Sequence, residues 1–155
     1  MTRRAVLPGD LAIAPDDPFA GLEPGRAHAP WRSFSLTAPR LFCSKMFRTL
    51  GSRESEAAAL RIGGWLAEGD YEGLVLDYRG AVIKADPDAS RALADASAAA
   101  FPRVVLVGYL SDAPSAPYTK LMTTLLRDRG VKAARAGDFD TLYGALMGRL
   151  TILVE

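Results

Sequence analysis

Two runs in this chain are apolar almost without alternation. One is Leu74-Val75-Leu76-Asp77-Tyr78, opened by Gly73 and closed by Gly80; the other is Arg103-Val104-Val105-Leu106-Val107-Gly108-Tyr109. A strand with one face in water alternates apolar and polar residues, so a continuous run marks a strand covered on both faces. The second run is the stronger because valine is so frequent in it. A helix-length segment joins the two, which makes them adjacent central strands of a parallel sheet. The chain therefore belongs to the α/β class.

The rest of the pattern fits around that pair. Trp31 to Leu36 alternates between two faces, Leu41 to Thr49 reads as a second strand, and Thr37-Ala38-Pro39-Arg40 is the turn between them. Ser52 caps a helix over about Arg53 to Glu68, with Glu54 and Glu56 where the helix dipole favours carboxylates. Its inward stripe is Ala59, Ile62, Trp65 and Leu66. Asp86-Pro87-Asp88 starts a second helix that runs to about Ala100. Pro114 to Pro117 leads into a third, Tyr118 to Arg129, with Leu121, Met122 and Leu125 on one face and Gly130 as the stop. Val131 to Ala136 is a weaker strand. Asp138 caps a closing helix through about Leu146, with Phe139, Leu142 and Leu146 inward. The expected fold is a mainly parallel sheet of about five strands flanked by helices, with an N-terminal hairpin at one edge and right-handed crossovers. It forms one domain over residues 31–155.

Residues 1–30 differ. They hold Pro8, Pro15, Pro18, Pro24 and Pro30 with Gly9, Gly21 and Gly25 between, and no apolar period survives that punctuation. We read an extended leader. Leu7, Leu11, Ile13, Phe19, Leu22 and Trp31 are more apolar than a solvated linker carries, so the leader is expected to pack against the body or across a second subunit.

Composition narrows the function classes. With 155 residues, 49% hydrophobic and 24% charged, the chain can bury a core of its own. Nineteen Lys and Arg against eighteen Asp and Glu leave a formal charge of +1, which lacks the footprint of a nucleic-acid or anionic-membrane protein. No stretch nears the roughly 20 apolar residues of a membrane helix, and Met1 to Ala14, broken by Pro8, Gly9 and Asp10, reads as neither signal peptide nor anchor. The lone Cys43 builds no internal disulfide and no cysteine metal cluster, so a cytoplasmic location is expected. Abundant Ala, and Arg far commoner than Lys, suggest a bacterial genome rich in G and C.

Residues for chemistry are few. The only histidine, His28, stands in the leader without an orienting motif and reads as a solvated residue. Cys43, in a strand, reads as a small core group. Gly63-Gly64 falls inside a helix, and Gly69, Gly73 and Gly80 bracket a strand without a GxGxxG or GKS/GKT pattern, which disfavours a phosphate loop or a Rossmann cofactor. Gly108-Tyr109-Leu110-Ser111 lacks the second glycine of a nucleophile elbow. No cofactor, no metal and no catalytic role are expected. In an open parallel sheet the ligand crevice lies beyond the strands' carboxyl ends, which groups Asp77, Tyr78, Arg79, Ser111, Asp112 and Asp138 at one rim. Acids and serines at such points also cap helices and hold turns, and Asp77 with Arg79 can be a plain ion pair. The residues allow both readings.

From about Trp31 to Leu146 the order of elements resembles the STAS domain of bacterial anti-sigma-factor antagonists and sulfate transporters, in particular its SpoIIAA-like relatives. The likeness rests on the opening strand pair, the helix through Ala59 and Trp65, the Gly73 to Gly80 strand ending in an aspartate and a glycine, and the alternations that follow. It implies a non-enzymatic regulatory or interaction domain with a protein partner or a second copy of itself, no nucleic acid and no membrane insertion. In the antagonists an Asp-Ser-Ser-Gly stretch opens the next helix and supplies the serine that a kinase phosphorylates. Here that place reads Asp86-Pro87-Asp88-Ala89 with Ser90 beyond, so both hydroxyls and the glycine are lost. Asp88 carries one charge where a phosphate carries nearly two. Partner binding is expected at Asp77, Arg79, Asp86, Asp88, Ser90 and Ser111. Asp77 is also placed like the phospho-acceptor of response-regulator receivers, but Arg32-Ser33-Phe34-Ser35-Leu36-Thr37 lacks the acidic pair that holds their magnesium. The rival reading is a small apolar ligand or lipid binder, or an enzyme, using a crevice between the strand ends and the leader. A pocket of roughly several hundred Å³ with convergent polar groups would favour it.

Overall fold

The two apolar runs become neighbouring parallel strands, β3 (Gly73–Asp77) and β4 (Leu106–Leu110), every residue of both buried. The structure, a computed structural model, describes residues 17–24, 31–37, 39–47, 52–83, 86–102 and 105–154. Around the central pair lie β1 (Trp31–Thr37), β2 (Arg40–Met46) and β5 (Lys132–Ala136), with helices α1 (Ser52–Glu68), α2 (Pro87–Ala100), α3 (Ala116–Asp128) and α4 (Phe139–Val154). The five strands form one sheet in the order β1-β2-β3-β4-β5. It is mixed: the opening hairpin β1–β2 is antiparallel and the other three pairings are parallel. The expectation of a mainly parallel sheet thus describes β2 to β5 and not the edge.

Strands β2 to β5 follow one another in chain order, so each crossover steps the same way along the sheet. A constant crossover hand then stacks α1, α2 and α3 on a single face. Ile62 and Leu66 of α1, Ala94 of α2, and Tyr118, Met122 and Leu126 of α3 accordingly share one core with Phe42, Leu74, Leu76, Val107 and Tyr109. Val105, just before β4, is buried in the same core. The opposite face is covered by Phe139, Leu142 and Leu146 of α4, packed on Cys43, Val75, Leu106, Leu110 and Ala134.

Several boundaries and faces differ from expectation. The second strand ends at Met46, and residues 48–49 lie outside the described ones. Helix α4 runs on to Val154. Gly144 and Gly148 do not stop it, because an interior glycine weakens a helix by only about 1 kcal/mol. Trp65, expected inward, is 45% exposed. Ala58, Ala59, Ile62 and Leu66 fill the inner stripe of α1, and the indole is left on the flank, stacked on Phe42 with ring centroids 5.5 Å apart.

Of the leader, residues 17–24 are described, and they pack on the body. The Asp17 carboxylate accepts the Phe19 N–H at 2.9 Å, which tightens a turn. That turn drives Phe19, 3% exposed, against Phe34 (centroids 5.0 Å) and Phe139 (6.2 Å). Arg32 donates to the Glu23 carbonyl at 3.0 Å, tying the segment to β1. Leu7, Leu11, Ile13 and His28 lie outside the described residues. Phe19→Ala should cost about 3 kcal/mol, because a buried aromatic leaves a cavity its neighbours only partly fill. A melting temperature equal to that of the unaltered chain would show that the ring does not hold the segment down.

Candidate functional site

Parallel strands bring their carboxyl ends to one edge, and there β3 closes on Asp77. In register it faces Lys45 of β2 and Leu110 of β4. Its carboxylate is fully buried, and a buried charge persists only when paired and hydrogen-bonded. Oδ1 accepts the Arg79 backbone N–H and Nε, both at 2.9 Å. Oδ2 accepts Arg79 Nη2 at 3.0 Å and Lys45 Nζ at 3.2 Å. Lys45 also donates to the Arg79 carbonyl at 2.8 Å, and Arg79 Nη2 reaches Asp17 Oδ2 at 2.9 Å. Two acids and two bases thus neutralise one another, and the network clamps the leader turn to the rim.

Beside it, Gly80 adopts a left-handed backbone (φ +84°) that glycine tolerates without strain. Its N–H goes to Asp112 Oδ2 at 2.8 Å, and Ser115 Oγ donates to Asp112 Oδ1 at 3.0 Å. The Gly80 N–H, with the Ser115 bonds behind it, holds the Asp112 carboxyl below its usual range. Asp138 accepts the Thr141 N–H at 2.8 Å as the cap of α4, which lowers its pKa in the same way. These carboxylates stay ionised at neutral pH and brace loops.

The other expected residues divide. Asp86 caps α2, its Oδ1 accepting the N–H of Asp88 at 3.0 Å and of Ala89 at 3.3 Å. Asp88 is exposed and paired with Arg91. Ser111 is buried, its N–H continuing the β4–β5 ladder to the Ala136 carbonyl at 3.1 Å. Ser90, 3% exposed, sits on the inner face of α2 with Ala94 and Ser97. Asp77 and Arg79 therefore meet directly, Asp86 and Asp88 face outward at the start of α2, and the two serines point into the body. A kinase cannot reach Ser90 without pulling α2 away. Mass spectrometry of protein from its native cell should find Ser90 unmodified, and a stoichiometric phosphate there would overturn this placement.

Lys45 and Asp17 are the members the sequence pattern missed. A lysine inside a strand whose neighbours Leu41, Phe42, Cys43 and Ser44 are buried is a signal that a carboxylate is waiting; nothing local marks Asp17. Elsewhere, burial pushes the Cys43 thiol up to about 12, so it is no thiolate. Tyr78, Tyr109 and Tyr118 form a buried aromatic cluster with Trp31, and burial raises all three phenols. Beneath Trp31 and Tyr78 is a cavity of about 30 Å³, room for water and not for a metabolite. An open groove of about 440 Å³ lies at the other end of the sheet, between Arg40, Phe42, Trp65, Glu68 and Tyr71. Among the described residues no three His, Cys, Asp or Glu gather as a metal site, and no helix is long and apolar enough to cross a membrane. No protein-family model matches the chain, and no curated protein matches it significantly.

Proposed function

We propose that this chain is a non-enzymatic, STAS-like regulatory domain that binds a protein partner through the strand-end rim. The reading rests on how the rim divides its residues. The inner carboxylates are engaged within the rim, Asp77 by the Arg79 and Lys45 side chains and Asp112 by the Gly80 backbone N–H. The loop they brace carries Val82, 70% exposed, between that base and the exposed carboxylates Asp86 and Asp88. A loop fixed at its base that exposes a large apolar side chain suits docking, and the exposed Asp86 and Asp88 favour a basic partner. The opening strand pair followed by parallel strand-helix repeats supports the STAS likeness. With hydroxyls missing at the start of α2 and Ser90 buried, binding does not run through serine phosphorylation here. Arg79 acts as a strut, and Asp86 and Asp88 make the contact. We assign the domain to the cytoplasm on the same reading. For the rival, a small-ligand binder at the strand ends, the cavity of about 30 Å³ beneath Trp31 and Tyr78 is too small to hold a metabolite.

The test uses the full chain as bait in extract of its own cell, compared with Val82→Asp, Asp88→Arg and, as a control on the exposed face of α3, Thr124→Asp. The expected result is one protein other than the chain itself, retained by the unaltered chain and by Thr124→Asp, and lost from both rim variants at unchanged melting temperature. A partner indifferent to both rim variants, or a bound metabolite in place of a protein, overturns the reading.

A further inference from the structure

Helix α1 turns an apolar face outward. Leu60 is 63% exposed and Trp65 45%, two of the three large hydrophobics exposed among the described residues. Ala57, Gly64 and Ala67 are exposed too. The seam Ala57, Leu60, Gly64, Ala67 therefore advances in alternating three- and four-residue steps, the spacing by which one helix packs along another. Gly64 is the residue that the fold itself does not require. A Cβ there would meet nothing within 4 Å, whereas one at Gly63 would strike α2. A helix-interior glycine costs about 1 kcal/mol against alanine, and no contact among the described residues offsets it. What the missing side chain does permit is the close approach of another helix from outside.

The charges say which helix. Arg61 and Glu68 flank the seam, both exposed, and neither forms an ion pair among the described residues. In an antiparallel copy of α1, related by a two-fold axis between Gly64 and Ala67, Arg61 comes beside the partner's Glu68, and the reverse pair forms by symmetry. The same register sets Gly64 against the partner's Ala67. It also lays Leu60 toward the partner's groove of about 440 Å³, whose walls are Phe42, Trp65 and Tyr71. Arg61 and Glu68 lie on the same flank of the seam, so an in-register parallel pair would set each against the partner's opposite flank and leave the two charges apart. We propose that the chain forms a two-fold antiparallel homodimer through the outward face of α1, with Leu60 and Trp65 as apolar anchors and Arg61 and Glu68 as the pair that fixes orientation. This surface is separate from the strand-end rim and does not depend on the function proposed for it.

Sedimentation velocity of the full chain over a concentration series tests the proposal. The expected result is a reversible dimer that Leu60→Asp abolishes. Arg61→Glu and Glu68→Arg should each weaken it about ten-fold or more, since like charges are then set together twice across the axis. The double variant Arg61→Glu/Glu68→Arg should return to within about three-fold of the unaltered affinity. These side chains are exposed, so melting curves should confirm that every variant is folded. A chain that stays monomeric throughout, a dimer indifferent to both single reversals, or a double variant as weak as the singles overturns the proposal.

Discussion

Gly63→Val should destabilise the chain by about 3 kcal/mol, because the side chain has nowhere to go and overpacking a tight contact costs on this scale. A Cβ at Gly63 would lie 2.6 Å from the Ala100 carbonyl oxygen and 2.8 Å from the Ala100 Cβ. The obstacle is mainly backbone, so no rotamer change relieves it, and α1 and α2 must separate. For a chain of this length that loss corresponds to roughly 6–12 °C in Tm. One residue on, the sign reverses. Gly64→Ala adds a methyl to open space and should stabilise the monomer by about 0.5–1 kcal/mol through helix propensity alone. Urea unfolding at a dilution that leaves the chain monomeric measures both. Equal effects at the two positions would mean that the α1–α2 crossing is looser than the geometry described above.

That contrast also marks where the sequence can be read and where it cannot. Both glycines look alike in a helical pattern; only the neighbouring helix, more than 30 residues along the chain, tells them apart. The β3 and β4 runs were legible because burial on both faces leaves a local trace, an absence of alternation. The caps Asp86 and Asp138 were legible for the same reason, since a side chain that bonds the next turn's N–H groups acts within a few residues. Trp65 was misplaced because periodicity gives the direction of a face and not the number of layers available to cover it. In the Ala-rich α2 no apolar stripe distinguishes the inner side, so the burial of Ser90 and Ser97 had no signal. The site shows the same limit. Asp77 and Arg79 are two residues apart, so an ion pair between them is one of the readings the sequence offers, while Lys45 joins them only through the β2–β3 register, and Asp17 only through the docked leader.

Asp77→Ala should cost about 2–3 kcal/mol, the lower part of the range for breaking a buried ion pair, because both cations keep some contact with water. The carboxylate accepts three hydrogen bonds from the Arg79 and Lys45 side chains and a fourth from the Arg79 backbone N–H, at 2.9 to 3.2 Å. Without it Lys45 retains the Arg79 carbonyl and Arg79 retains Asp17, so two positive charges remain close together with one acid between them. Asp77→Asn should be no milder, since the amide nitrogen turns a donor toward a donor. If unpaired charge is the cause, removing a cation must relieve it. Asp77→Ala combined with Lys45→Met should then cost clearly less than the two single changes added together, a coupling of about 1 kcal/mol or more. Urea unfolding of the four proteins gives the cycle, and strict additivity would show that Asp77 fills space and does not balance charge. Hydrogen exchange supplies the link to function. The Arg79 N–H, which loses its acceptor, should exchange faster in Asp77→Ala, and the loop that displays Val82 should loosen with it. Partner binding at the rim should therefore weaken in this variant together with stability, whereas Asp88→Arg should weaken binding alone.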